Sequence, residues 1–334
     1  MRKMIFVVML ISLMPIKAFC VASCPSGTTE NVDCWDCGAK CTAVLDKNGQ
    51  MTISGEGAMY QYSWTGSSPN RVTTAPWKTK IDDIERLVIE DGIETVGYSA
   101  FCGTKIKELE LPASVAEIEN YAFMDGALEN VNTLKNLSSI GSGAFYQTNL
   151  KKADLPDNLA VINTDVFTRT DLVTIDIPDT VTSIGNYTFN GCGKLTDLII
   201  PDSVTSIGVK AFAYDENLIN LTIPNAVEKI KTSAFSGVNV ANLNISADKL
   251  EMYLNAGGAF REGAGIVCTS GDCSKVLADF DKKNGTNYRY YASICKTTKP
   301  CGKAKPIRQS IRIYTIDEAN AVAGKTNHVK IRYR

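Results

Sequence analysis

Apolar and polar positions along this chain come in short bursts that return on a fixed beat. In residues 195–217, LTDLIIPDSVTSIGVKAFAYDEN, the opening alternates as a strand does. Leu195, Leu198 and Ile200 fall on one side, and Asp197 and Ile199 on the other. Pro201 cannot donate to a ladder and ends it. Asp202 and Ser203 supply a turn, and Val204 and Ile207 a second short apolar segment. Gly208 is expected to allow a bend before Ala211 and Phe212 turn inward. The same grammar closes at Phe101, Phe123, Phe145, Phe167, Phe189, Phe212 and Phe235, spaced by 22, 22, 22, 22, 23 and 23 residues. A fixed period of this size predicts a solenoid whose units bury their apolar faces only against their neighbours. The seven phenylalanines are its expected repeat core. The predicted fold is β-rich, with short parallel strands, tight turns and little helix, in about seven or eight units over residues 81–260.

The flanks depart from the beat. Residues 23–80 open with CPSGTTENVDCWDCGAKC and continue with the alternation CTAVLDKNGQMTISGEGAMY. Asn48-Gly49 is a tight-turn signal, so a hairpin with Ala43, Leu45, Met51 and Ile53 facing inward is expected to cap the first unit. Residues 69–76 read as a loop and Trp77 as a core plug. Trp35 and Trp64 are either plugs or exposed contacts. In the last unit the Ala-Phe pair is expected to slip to Ala259-Phe260, as terminal repeats are often atypical. Residues 261–299 then form a Cys-containing C-terminal cap with a helix over 272–280. Residues 300–334 form a basic linker and tail, with strands at 311–316 and 329–333, which reads as a detachable anchoring tag more readily than as a folded cap.

The units, with IPDSVTSIG at 200–208 followed by Ala211-Phe212, resemble the BspA-like leucine-rich repeats of secreted and surface proteins. GQMTISGEGAMY, then APW and VIEDGIETVGYSAF, resembles the lead-in to such arrays. The resemblance spans about residues 41–260. It implies a leucine-rich-repeat solenoid, and a family that includes adhesins and host-matrix binders. Two units depart from the pattern. LENVNTLKNL lacks the proline after its strand, and Ile162-Asn163 stands where Ile-Gly is usual, so local irregularity is expected there.

Charge and cysteine usage add the compartment. Arg2 and Lys3 precede an apolar run from Met4 to Ile16, too short to span a bilayer but suited to a signal peptide over 1–22. No later segment reads as a transmembrane span. Cys24, Cys34, Cys37 and Cys41 crowd one end and Cys268, Cys273, Cys295 and Cys301 the other, which in an exported chain reads as disulfides of unassigned pairing. Cys34-Trp-Asp-Cys37 has the spacing of a redox motif, and the four N-terminal cysteines could hold zinc; disulfides are the expected use of both. Cys102 and Cys192 read as small core residues. Net charge is −1, with no basic field for nucleic acid, although residues 296–334 carry ten Lys and Arg against Asp317 and Glu318. That stretch is either a solvated tail or a contact for an anionic envelope polymer. The single histidine, His328, leaves little scope for His-based catalysis or zinc binding, and no catalytic, cofactor or metal residues are assigned.

One face remains. Stacked in register, the outward strand positions give two columns. One runs Val88, Glu110, Asn132, Asp154, Asp176, Ile199, Thr222, Asn244. The other runs Arg86, Glu108, Asn130, Lys152, Thr174, Asp197, Asn220, Asn242. Their middle is acidic, and Glu108, Glu110, Asp154, Asp176 and Asp197 are the candidate partner-binding residues, against the alternative of a plain solvated sheet. The function expected is non-enzymatic recognition of a protein or glycan ligand at a cell surface. The alternative is a structural envelope protein held by its basic tail.

Overall fold

The structure, a computed structural model, describes residues 32–284, 290–291 and 311–314. Each coil has three sides. Strands such as Arg86–Ile89, Glu108–Glu110, Asp197–Ile199 and Asn220–Thr222 form the first, paired in parallel from coil to coil. A second parallel series includes Ile93–Val96, Glu117–Ile118, Ser139–Ile140, Ser183–Ile184, Ser206–Ile207 and Lys229–Ile230. The third side is a corner around each phenylalanine. In the unit 195–217 the alternation holds: Leu195, Leu198 and Ile200 are buried, while Asp197 and Ile199 face out.

The corner is built on one repeated backbone device. From Phe101 to Phe212, residues two before, at, and two after each phenylalanine donate N–H groups to the next coil, as in Tyr121 to Ser142 O at 3.0 Å, Phe123 to Ala144 O at 2.9 Å and Asp125 to Tyr146 O at 2.8 Å. The flanking residues of each set are left-handed. In the first coil φ is 52° at Ser99 and 74° at Gly103, and in the sixth 52° at Lys210 and 65° at Tyr214. Glycine stands at some of these positions, but Ser, Tyr, Asp, Gln, Arg and Lys stand at others. Each non-glycine there costs about 1–2 kcal/mol, which the ladder it makes possible offsets.

This corrects the role expected of Gly208. Its backbone is not left-handed. An added Cβ would instead lie 2.4 Å from the backbone of Gly185 in the preceding coil, and one on Gly185 would lie 2.7 Å from that of Asn163. Glycine is needed there because coils touch, not because the chain bends. In the coil with Asn163 at this position, its Nδ2 donates to Ile140 O at 2.8 Å. The proline-less unit is irregular as expected: the Asn132 side chain accepts from Leu111 N at 2.9 Å and donates to Leu111 O at 3.0 Å, standing in for a strand peptide.

The phenylalanines are fully buried and form one stack. Centroid spacings from Phe101 to Phe235 lie between 5.4 and 5.8 Å, with planes within 13° of parallel. Such offset pairs contribute about 0.5–1.5 kcal/mol each beyond burial. Trp77 closes one end, 5.5 Å from Phe101 and donating its Nε1–H to Ala100 O at 3.0 Å. Tyr253 closes the other, 5.1 Å from Phe235.

At the N-terminal end, β1 (Asp33–Gly38), β2 (Cys41–Leu45) and β3 (Gln50–Gly55) form an antiparallel meander, and β3 pairs in parallel with Arg86–Ile89. Ala43, Leu45, Met51 and Ile53 are buried as the alternation predicts. Cys37 is bridged to Cys41, and Cys34 is also disulfide-bonded. Trp35 packs edge-on against Trp77 at 6.2 Å. Residues 69–76 are not a plain loop, since Val72–Thr73 pairs with Trp64–Thr65 in a small hairpin. This arm lies along the corners of the first coils. Tyr62 N donates to Tyr98 O at 2.9 Å, Arg71 pairs with Asp125 at 3.3 Å, and Ser68 Oγ donates to Gln147 Oε1 at 2.5 Å. Trp64 is half-buried there, stacked on Tyr98 at 5.9 Å.

At the other end the expected slip of the Ala-Phe pair is not what closes the array. A helix, α1 (Ala247–Asn255), follows the last coil and buries Leu250, Tyr253 and Leu254, so Tyr253 takes the ring position. Ala259 and Phe260 lie in the strand Ala259–Cys268, paired with Asn239 and Val240. Cys268 is bridged to Cys273, at the start of α2 (Cys273–Asn284), the helix expected in this region. Ile311–Tyr314 pairs with the strand Ala259–Cys268 and with Tyr290–Tyr291. The segment 1–22, Cys24, Cys295, Cys301 and the rest of the tail lie outside the described residues.

Replacing Phe145 by alanine, in the middle of the stack, is expected to lower stability by about 3–5 kcal/mol in chemical denaturation. Gly208→Ala is also expected to destabilise, despite an ordinary φ, whereas Ser233→Gly should stay within about 1 kcal/mol of wild type.

Candidate acidic groove on the strand face

The two outward columns stack in register. Arg86 pairs with Glu108 and Asn130 with Glu108 in one column, and Asp197, Asn220 and Asn242 follow one another further along it. Val88 pairs with Glu110, Asp154 with Asp176, and Ile199 with Thr222 and Asn244 in turn. The five candidate residues nevertheless fall into two groups. Glu108 and Glu110 both meet Arg86, at 3.4 Å for Glu108 and in a closer contact for Glu110. One guanidinium thus serves two carboxylates, so the three groups keep a net charge of −1.

Asp154, Asp176 and Asp197 instead line one groove of about 1030 Å³. Asp154 is met by Lys152 at 2.9 Å, a pair exposed enough to contribute little. Asp197 terminates a run of side chains along the column. Thr196 Oγ1 donates to it at 2.6 Å, Asn220 Nδ2 donates to its other oxygen, and Asn242 Nδ2 donates to Asn220 Oδ1 at 2.6 Å. A carboxylate can only accept, so Asp197 sets the orientation of both amides.

The groove also draws on residues outside the two strand columns. The Pro-Asp corners of three successive coils place Asp157, Asp179 and Asp202 in the groove lining, with Asn225 next in line. The signal was present in the recurring Leu/Ile-Pro-Asp, since a fixed period puts every member of a repeated triplet in one row. Six aspartates therefore share the groove with Lys135. Among them Ile199 is 59% exposed and offers an aliphatic surface beside the carboxylates. Electrostatically the groove is a row of hydrogen-bond acceptors with a central apolar contact. Among the described residues no group of three or more His, Cys, Asp or Glu converges to hold a metal ion.

The other chemical candidates resolve structurally. Cys34 and Cys37 lie on the edge strand β1, and Cys37 is joined to Cys41, so the redox spacing is not used as a redox pair. Cys102 and Cys192 are free and fully buried. Desolvation pushes the Cys102 thiol up to about 12, the Asp125 carboxylate adding to the effect and the Arg71 guanidinium opposing it.

A sequence profile of the BspA type leucine rich repeat region matches residues 79–195 and 138–256, in six copies, and so covers more than half of the chain. The chain belongs to the BspA-type leucine-rich-repeat family. A leucine-rich repeat protein from Eubacterium ventriosum shares the fold, with a TM-score of 0.51 at 19% identity over 72% of this chain and 80% of that one. A leucine rich cell surface protein from Faecalibacterium prausnitzii aligns at 16% identity with a TM-score of 0.33, over 72% of this chain and 96% of that one. No curated protein matches the chain. In BspA-type terms, the groove lies on the first-side strands and their Pro-Asp corners, in the second half of the array. No described helix is long and apolar enough to cross a membrane.

Because burial suppresses both free thiols, peptide-resolved alkylation with iodoacetamide at pH 8 is expected to leave Cys102 and Cys192 unmodified in the native protein. Both should be modified fully after denaturation.

Proposed function

We propose that this BspA-type chain is an exported, non-enzymatic recognition protein that binds a protein or glycan partner at a cell surface through its strand face, in the manner of an adhesin. The groove carries this reading: six aspartates in rows around the exposed Ile199. Ammonium or guanidinium groups flanking an aliphatic or ring carbon surface are the chemistry that such a groove fits. Family membership supports recognition in general, and an extended solenoid face is a usual binding platform. Carboxylates in an open row offer charge and acceptors, which suit binding better than proton transfer.

The excess of basic residues in 296–334 supports a second reading, a structural envelope protein held to anionic polymer by that stretch. Neutralising Lys296, Lys299, Lys303, Lys305 and Arg308, which leaves the paired strand Ile311–Tyr314 in place, separates the two readings. Lost cell association with intact ligand binding assigns anchoring to that stretch and recognition to the groove, and unchanged association removes the anchoring role.

The recognition reading is tested on an array of extracellular-matrix proteins and purified glycans. Saturable binding to at least one array member is expected. The combined variant Asp154→Lys, Asp176→Lys, Asp202→Lys should weaken that binding roughly tenfold or more, an effect of at least about 1.4 kcal/mol, and added salt should weaken it in wild type. Binding unchanged in the triple variant would remove the groove from the function.

A further inference from the structure

The corner position three residues after each phenylalanine forms a buried column down the array. Thr104, Thr148 and Thr170 occupy it in three coils, and each hydroxyl donates to the carbonyl of its own phenylalanine, at 2.8, 2.9 and 2.9 Å. Cys192 comes next, its Sγ 3.3 Å from Thr170 Oγ1 and 3.1 Å from Phe167 O. Every one of these side chains can act as a donor toward a backbone carbonyl. The following member of the column is Asp215, fully buried, and neither carboxylate oxygen has a hydrogen-bond partner. An ionised carboxylate has no donor to offer and is costly to bury without a cation.

We propose that Asp215 sits in this column as a neutral carboxylic acid, its O–H taking the place of the threonine hydroxyls, and that the corner around it is a pH-sensitive seam that loosens as the solution becomes more alkaline. The titratable groups facing it are the Cys192 thiol and, beyond that, the Asp171 carboxylate, itself paired with Lys194 at 2.8 Å. Neither Cys192 nor Asp171 supplies positive charge. Burial raises the Asp215 carboxyl well above the usual range, and the N–H groups of Cys192 and Gly191 pull the other way. Those two N–H groups are already given to Phe189 O at 3.1 Å and Ala213 O at 2.8 Å. The sign follows from linkage. Above the ordinary carboxylate range the unfolded chain has lost this proton and the folded corner still holds it. The contribution of the neutral acid is therefore complete below that range and is lost as pH rises toward the raised folded value.

Hydrogen exchange of the full chain at pH 5 to 8, corrected for intrinsic rates, tests this. In wild type, the protection of peptides covering 209–218 should fall with pH by up to about tenfold per unit. Asp215→Thr, which restores the hydroxyl, and Asp215→Asn, which keeps the shape without the charge, should both hold protection flat. Peptides over 141–150, around Thr148, should stay flat in all three proteins. Parallel pH profiles in wild type and Asp215→Thr would overturn the proposal. So would an Asp215→Asn seam that is equally loosened at every pH, because the corner would then need the carboxylate itself.

Discussion

Everything in this molecule depends on coil touching coil at the distance that aromatic stacking allows. Neighbouring rings lie 5.4 to 5.8 Å apart through six successive steps, a spacing that the parallel ladders between the same coils share in setting the rise of the array. Once that rise is set, backbone groups of adjacent coils fall within hydrogen-bonding reach, and positions such as Gly141, Gly185 and Gly208 have no room for a Cβ. The phenylalanine supplies much of the transfer energy, about 1.5–3 kcal/mol for each ring. The left-handed pair around it then aims alternate N–H groups at the next coil. Strain of this kind persists only when its surroundings over-determine it, and here stacked rings and ladder do so together.

The same spacing makes the outer face. In-register coils turn one unremarkable aspartate per repeat into a row, and two such rows into a groove. No single residue there is unusual. What is unusual is their summation, which depends on every intervening coil keeping its register. The Asn242–Asn220–Asp197 run shows how far this goes, since one carboxylate dictates the orientation of two amides.

Much of this could be read from the residues. The beat of phenylalanines, the inward set of the unit 195–217, the hairpin with Met51 and Ile53, and the plug at Trp77 all follow from periodicity and side-chain character. The left-handed corner positions could not be, because glycine marks only Gly103, Gly143, Gly191 and Gly237, and the other occupants (Ser, Tyr, Asp, Gln, Arg, Lys) are too varied to show a conformation that stacking imposes. Helix α1 had a signal in Leu250, Tyr253 and Leu254 at helical spacing, but the expectation of one more Ala-Phe pair obscured it. Half of the groove was legible as strand columns. Asp157, Asp179 and Asp202 were hidden by their setting after proline, where an aspartate reads first as a turn former. The pairing of Arg86 with both Glu108 and Glu110 depends on side-chain reach, which no spacing encodes.

The arm of residues 57–74 bears on how such an array can change in length. Its contacts run from Tyr98 in the first coil through Asp125 to Gln147 in the third. Those coils are thereby measured against a ruler of fixed span, and a duplicated or deleted 22-residue unit among them would leave Arg71 or Ser68 facing the wrong corner. From Phe167 to Phe212 each coil meets neighbours that share its ring and its ladder, so a whole unit could be gained or lost there with its ring, its ladder and its Pro-Asp corner intact. The molecule is built to be lengthened from one side, and the groove lies on the side that would grow.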